Sequence, residues 1–129
     1  MDRCIFCSIA SDNIPHHEII WSDQNHIAFL AVPPSKDGHT LVIPRQHSNG
    51  ILDLSAAQYA DIFAAAREVS VLLQQKLDCE RIAVVVEGAS IPHTHIHLIP
   101  LMQEEKLASF TTLSRTPEEL SVTAARIRG

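Results

Sequence analysis

Hydrophobic positions along the chain fall into short blocks with two different periods. Glu18–Ser22 and His26–Val32 are rich in apolar residues and flank a polar Asp23-Gln24-Asn25, which predicts an antiparallel hairpin. Thr40–Ile43 is a short apolar run ended by Pro44 and predicts a buried strand. The period then changes. Tyr59, Ile62, Phe63, Ala66, Val69, Leu73 and Leu77 recur at helical spacing, giving an amphipathic helix of about six turns. Its start is marked by Ser55 and Gln58 in a capping box, with Leu54 and Tyr59 in the staple positions. Ile82–Val86 is densely β-branched and predicts a central strand. Glu87–Pro92 breaks it, and His93–Ile99 alternates as the next strand. Thr116-Pro117-Glu118-Glu119 opens a short C-terminal helix through Leu120, Ala124 and Ile127. Five short strands with one long helix and one short C-terminal helix, not in regular alternation, predict an α+β fold on an antiparallel sheet.

Composition narrows the classes. The 129 residues, 46% hydrophobic and 19% charged, can bury one core, so we expect a single domain over residues 1–129. A net charge of −5 argues against a nucleic acid polymer as partner, which needs a basic face. It leaves room for a small nucleotide held by dipoles and a few side chains. No apolar run is long enough to span a membrane, and the opening MDRCIFCSIA does not read as a signal peptide. We therefore expect a cytoplasmic protein. There, Cys4 and Cys7 as a C-x-x-C pair point to metal binding or redox chemistry rather than a structural disulfide. Cys79, just past the long helix, reads as a small buried thiol.

Eight residues are histidine, and three of them form His93-Thr94-His95-Ile96-His97. On a strand these three imidazoles share one face, while Ile96 and Leu98 face the core. Such a row could be a solvated polar face, although that would draw on Ser, Thr, Lys and Glu as well. It could hold a catalytic metal, but the ladder spans roughly 13 Å at about 3.3 Å per residue, so the outer two would need strong bending to share one ion. Or the middle imidazole is a nucleophile that its neighbours orient, attacking phosphorus as a neutral nitrogen.

The triad, together with Gly38-His39-Thr40-Leu41-Val42-Ile43-Pro44-Arg45-Gln46-His47 upstream and Cys4-Ile5-Phe6-Cys7-Ser8-Ile9 and Ile14-Pro15 at the start, resembles the histidine triad (HIT) superfamily. The resemblance runs from about Cys4 to Pro100. It implies a HIT-like fold with a five-stranded antiparallel sheet, usually a homodimer, acting on a small-molecule nucleotide such as an AMP derivative. His97 stands where the transferase branch commonly has glutamine, so the resemblance favours the hydrolase branches, Hint-like and Fhit-like. It implies that His95 attacks the α-phosphorus and becomes nucleotidylated. His97 and Ser90 would contact phosphate or leaving group, and His39 would support the triad from behind. Phe6, Ile9, Ile14, Phe29 and Val32 match base-pocket positions and read equally well as core. The resemblance also implies a structural zinc site in which His47 and His93 join Cys4 and Cys7, the alternative being two partly buried free thiols.

Two departures stand out. Where the family often carries an Asp that holds the ribose hydroxyls, this chain has Ala31, leaving Asp37 or Ser35 as other sources of that contact. The loop Val86-Glu87-Gly88-Ala89-Ser90 before the triad is also short. The reading favoured is a nucleotidyl hydrolase, acting on a nucleoside phosphoramidate or related ester or dinucleotide through a nucleotidyl-histidine. The departures motivate an alternative, a nucleotide- or zinc-binding adaptor with little turnover. A third reading uses the triad as metal ligands. His16, His17 and His26 are expected to be solvated, Trp21 and Tyr59 to pack rather than bind, and Glu104-Glu105-Lys106 to form a solvated loop.

Overall fold

The hairpin forms because the turn between its strands closes on itself. Strand β1 (Ile19–Ser22) pairs antiparallel with β2 (His26–Leu30) in a computed structural model that describes residues 4–11, 18–89, 91–103, 105 and 114–129. Between them the Asp23 carboxylate accepts the backbone N–H groups of Asn25 at 2.8 Å and His26 at 2.6 Å, the self-bonding that makes Asp a turn residue. Strand β3 (Thr40–Pro44) lies on the other side of β2. β4 (Arg81–Val85) and β5 (Ile96–Leu101) complete a five-stranded sheet in the order β1-β2-β3-β5-β4, with each neighbouring pair antiparallel.

Alternation along the strands divides the core in two. Ala28, Val42, Ile96 and Leu98 point to one face, where they pack on Ile62, Ala65, Ala66, Val69 and Leu73 of helix α2 (Ala56–Leu77). Ile27, Phe29, Leu41 and Ile43 point to the other, against Phe6 and Ile9 of helix α1 (Ile5–Ala10). The capping box of α2 is formed, with Ser55 Oγ accepting from Gln58 N at 3.1 Å and Gln58 Oε1 from Ser55 N at 2.9 Å. Ile62 is fully buried at the centre of its layer. Ile62→Ala is expected to cost about 2–5 kcal/mol, because the rigid sheet opposite cannot collapse into the space. A lowered urea midpoint at unchanged slope would report it, and an unchanged midpoint would contradict this account of the core.

Gly38 enters β3 at φ +87°, where a Cβ would run into the Leu77 side chain at the end of α2. The last helix, α3 (Pro117–Arg128), is capped by Thr116 and Glu119 as its sequence predicts, and buries none of its residues.

Four expectations need correction. Helix α1 was not foreseen, since six residues are too few for a periodic signal. Ile82–Val86 is not a central strand: β4 lies at the sheet edge, and α2 packs on Ile82 but leaves Val84 51% exposed. β-branched density reports strand propensity, not the number of neighbours a strand has. The strand expected over His93–Ile99 begins only at Ile96. Before it the backbone turns, with Thr94 N donating to Ser48 O at 2.8 Å. His26 is not solvated but 5% exposed, with Nδ1 held 3.1 Å from the Asp23 carboxylate. His16 and His17 lie outside the described residues, as do Glu104 and Lys106. Glu105, between the latter two, is tied down by an ion pair with Lys36. Trp21 packs against the α2 layer and Tyr59 lies over Phe63. Among the described residues no helix is long and apolar enough to cross a membrane.

Candidate active site and metal centre

The register of two strands sets the site. β3 and β5 pair antiparallel with Thr40 opposite Leu98 and Val42 opposite Ile96. His39, at one end of β3, therefore falls beside His97, and His47, beyond the other end, comes to His93. The distances follow: His39 Nε2 to His97 Nδ1 is 3.0 Å, and His47 Nδ1 to His93 Nδ1 is 3.2 Å.

Groups that can only donate or only accept then fix each ring. The carbonyl of His93 lies 2.7 Å from His95 Nδ1. A carbonyl only accepts, so Nδ1 carries the proton and Nε2 keeps its lone pair. The Ser35 backbone N–H donates to His39 Nδ1 at 2.9 Å. His39 must then carry its proton on Nε2, which donates to His97 Nδ1. His97 in turn carries its proton on Nε2. The result is an Nε2 lone pair on His95 next to an N–H donor on His97, with the two rings 5.0 Å apart. Burial first, then the neighbouring His95 and His39, hold the His97 pKa down to about 4, and burial lowers that of His39. His97 is thus a neutral donor near pH 7.

This has a consequence for stability. Unfolded chains take up protons at these rings as the pH falls below the ordinary 6.5, whereas folded His97 resists until about 4. The sign is fixed by linkage: stability is full above about pH 6.5 and falls through the window down to about 4. Urea midpoints at about pH 7.5 and about pH 5 should show the loss, and equal midpoints would contradict it.

The rings open into a cavity of about 520 Å³ that Phe6, Ile9, Phe29, Ala31, Val32 and Leu41 also line. That volume suits a small organic ligand. Phe6 contacts both Phe29 and His95 edge-on, with ring centroids 5.6 and 5.2 Å apart. Val32, 68% exposed, stands at the rim rather than in the core. Ser35 lines the cavity but Asp37 does not, lying instead at a separate surface pocket. Ile14 and Ser90 lie outside the described residues.

The second cluster is behind the triad. Ligand atoms of Cys4, Cys7, His47 and His93 all lie within 4.8 Å of one another. Cys4 Sγ is 3.3 Å and Cys7 Sγ 3.4 Å from His93 Nδ1, and Cys7 Sγ is 3.3 Å from His47 Nδ1. Such separations are close to the edges of a tetrahedron with metal bonds of about 2.0–2.3 Å. The remaining ring nitrogens are also committed. His93 Nε2 donates to the Pro44 carbonyl at 3.0 Å, and His47 Nε2 to Asn49 Oδ1 at 3.2 Å. Both Nδ1 lone pairs therefore converge, which a cation would satisfy. Burial, then the hydrogen bond and charge of Cys4, push the Cys7 thiol above its ordinary pKa, an effect that a bound cation would reverse. The four residues fit a metal. Of the triad only His93 is in this group, so the described residues give no support to a metal held by all three triad imidazoles.

A family model described as HIT domain matches residues 12–104. The chain belongs to the HIT domain family. A HIT-like protein of Saccharolobus solfataricus is 30% identical over 79% of this chain and 76% of its own length. A protein of Schizosaccharomyces pombe named adenosine 5'-monophosphoramidase is 32% identical over 79% of this chain and 77% of its own length. Among solved structures, a Streptococcus mutans protein superposes with a TM-score of 0.86 at 26% identity, covering 99% of this chain and 85% of that one. The HIT fold was thus legible from its motifs. The sequence did not reveal the groups that orient the rings (the His93 carbonyl and the Ser35 N–H), because backbone partners leave no residue-type signal. Nor did it single out Glu87, which lines the cavity.

Proposed function

We propose that this HIT domain is a nucleotidyl hydrolase that cleaves a nucleoside phosphoramidate or related nucleotidyl ester through a covalent intermediate on His95. The observation that carries it is the chain of fixed tautomers. It leaves the His95 Nε2 lone pair beside the His97 N–H at the mouth of an apolar cavity. His95 Nε2 attacks phosphorus, the P–N bond breaks, and the amine leaves with a proton from solvent. The ring then carries the phosphorus on Nε2 and its proton on Nδ1, and the positive charge is stabilised by the His93 carbonyl. Water then attacks the phosphorus, the P–Nε2 bond breaks, and the nucleoside monophosphate and one proton leave to solvent, restoring the neutral ring. His97 donates from Nε2 to the oxygens on which charge builds, and His39 holds that tautomer. The name of the fission yeast relative is consistent with this chemistry.

The apolar lining at Phe6, Ile9 and Phe29 suits a nucleobase. Cys4, Cys7, His47 and His93 would hold one structural zinc with no open position. The homodimer suggested by the resemblance has a candidate surface in the edge strand β4, with Val84 in it and Val86 just after it exposed. A cytoplasmic site of action agrees with the reduced thiols that such a zinc site requires.

The test is release of AMP from an adenosine phosphoramidate by the purified chain. Turnover supports hydrolysis. Saturable AMP binding without turnover would favour the adaptor reading, for which Ala31, in the cavity wall and without a carboxylate, is the observation.

A further inference from the structure

We infer that Lys36 and Glu105 are positioning residues for the triad. Their ion pair holds the loop whose Ser35 N–H keeps the proton of His39 on Nε2, and through it keeps His97 a donor from its own Nε2. The inference rests on the hydrolase reading for its effect on rate, while the ring tautomers are read without turnover.

The loop between β2 and β3 has little else to hold it. Of residues 32–37, only Lys36 is not exposed. Pro33 and Pro34 carry no N–H, so Ser35 is the first donor after them. The Ala31 N–H donates to the His39 carbonyl at 2.8 Å, and the His39 N–H to the Lys36 carbonyl at 3.0 Å. Both bonds stay inside the segment. Among the described residues, the Lys36–Glu105 ion pair is the one hydrogen bond or ion pair that ties residues 32–37 to anything beyond residues 31–40.

Glu105 is itself fixed. Its Oε1 accepts the Met102 N–H at 2.6 Å, and its own N–H donates to the Met102 carbonyl at 3.1 Å. That leaves Oε2 for the Lys36 Nζ. Met102 directly follows β5, the strand that carries His97. The ion pair therefore joins the loop that orients His39 to the strand that carries His97, the two rings being hydrogen-bonded at 3.0 Å.

The chemical stake is the coupling of the two rings. A neutral imidazole carries one N–H. With the Ser35 N–H withdrawn from His39 Nδ1, His39 is free to carry its proton there. Its Nε2 would then face His97 as an acceptor, and His97 would hold its proton on Nδ1. The His97 Nε2 would present a lone pair, not a donor, to the oxygens on which charge builds.

The test uses Lys36→Met, which removes the charge, and Glu105→Gln, which keeps a carbonyl for the Met102 N–H. Each should lower kcat for AMP release from an adenosine phosphoramidate by about three- to fivefold, the scale of one partly exposed ion pair. KM should stay unchanged, because the donor acts on charge that develops in the transition state. The double variant should be no slower than either single one. Lys36→Arg should retain the wild-type rate, and high salt should slow wild type toward the variants. NMR spectra that resolve the imidazole nitrogens at neutral pH should show His39 and His97 protonated on Nε2 in wild type, and mixed tautomers in Lys36→Met and Glu105→Gln. Unchanged tautomers overturn the inference whatever the rate does, since the pair would then only shape the cavity wall at Ser35. A tautomer shift without a fall in kcat overturns the role in catalysis. If wild type releases no AMP, the hydrolase reading fails by itself, and the spectra still decide whether the pair holds the rings.

Discussion

His95→Ala is expected to lower the rate of AMP release from an adenosine phosphoramidate by about a thousandfold or more, with the fold intact. On the proposed mechanism this removes the covalent route as a whole, and only binding and the remaining donors still accelerate attack by water. The structural cost should be modest by comparison. His95 is 4% exposed but lies at the cavity wall, where its ring meets Phe6 edge-on, and its one hydrogen bond to protein among the described contacts is to the His93 carbonyl. Truncation frees one carbonyl next to a cavity that water can enter. A second measurement separates nucleophile from general base. Wild type quenched during turnover should show a nucleotidylated peptide spanning His95 by mass spectrometry, and His95→Ala should not. His97→Ala should lose activity but still accumulate the adduct, because the attacking lone pair remains. Equal turnover in wild type and His95→Ala would remove His95 from the chemistry altogether.

What the sequence discloses depends on how far apart the cooperating groups lie along it. The Asp23 turn and the two capping boxes at Ser55 and Thr116 are closed by residues within three positions, and each is legible. The triad is a local motif too, and alternation correctly sends Ile96 and Leu98 to the opposite face. Strand order is a different matter. Nothing local says that β5 inserts between β3 and β4, which turns a β-branched run into an edge strand. His26 illustrates the same limit. Its polarity suggests solvent, yet the turn folds Asp23 back onto its ring and the pair lies half under the edge of α2. His39 and His47 were recognised only through the motif around β3. Their physical reason, the β3–β5 register, exists only in the folded sheet.

The cluster of Cys4, Cys7, His47 and His93 supports the second large effect. Protein purified without added metal is expected to carry about one zinc per chain. Cys7→Ser, or chelation, should cost about 4 kcal/mol or more, a drop in Tm of roughly 15 °C for a chain of this length. The size follows from what the cluster holds together. Cys4 caps helix α1 and Cys7 sits in its first turn, while His47 and His93 come from the loops flanking β3 and β5. A six-residue helix has no stability of its own, so α1 depends on Phe6 and Ile9 in the core and on this cluster. Activity should fall as well, by about 10–100-fold, because His93 links the two centres. Its ring points both ligand-forming and carbonyl-bonded nitrogens away from the cavity, and its backbone carbonyl holds the proton on His95 Nδ1. Without a metal the His93 ring would keep only its Pro44 hydrogen bond, so the backbone carbonyl it presents to His95 Nδ1 would be held less firmly. Metal-free protein with an unchanged Tm and full turnover would sink both the zinc and its link to His95. A lowered Tm with full turnover would keep the zinc as a staple and remove only the link.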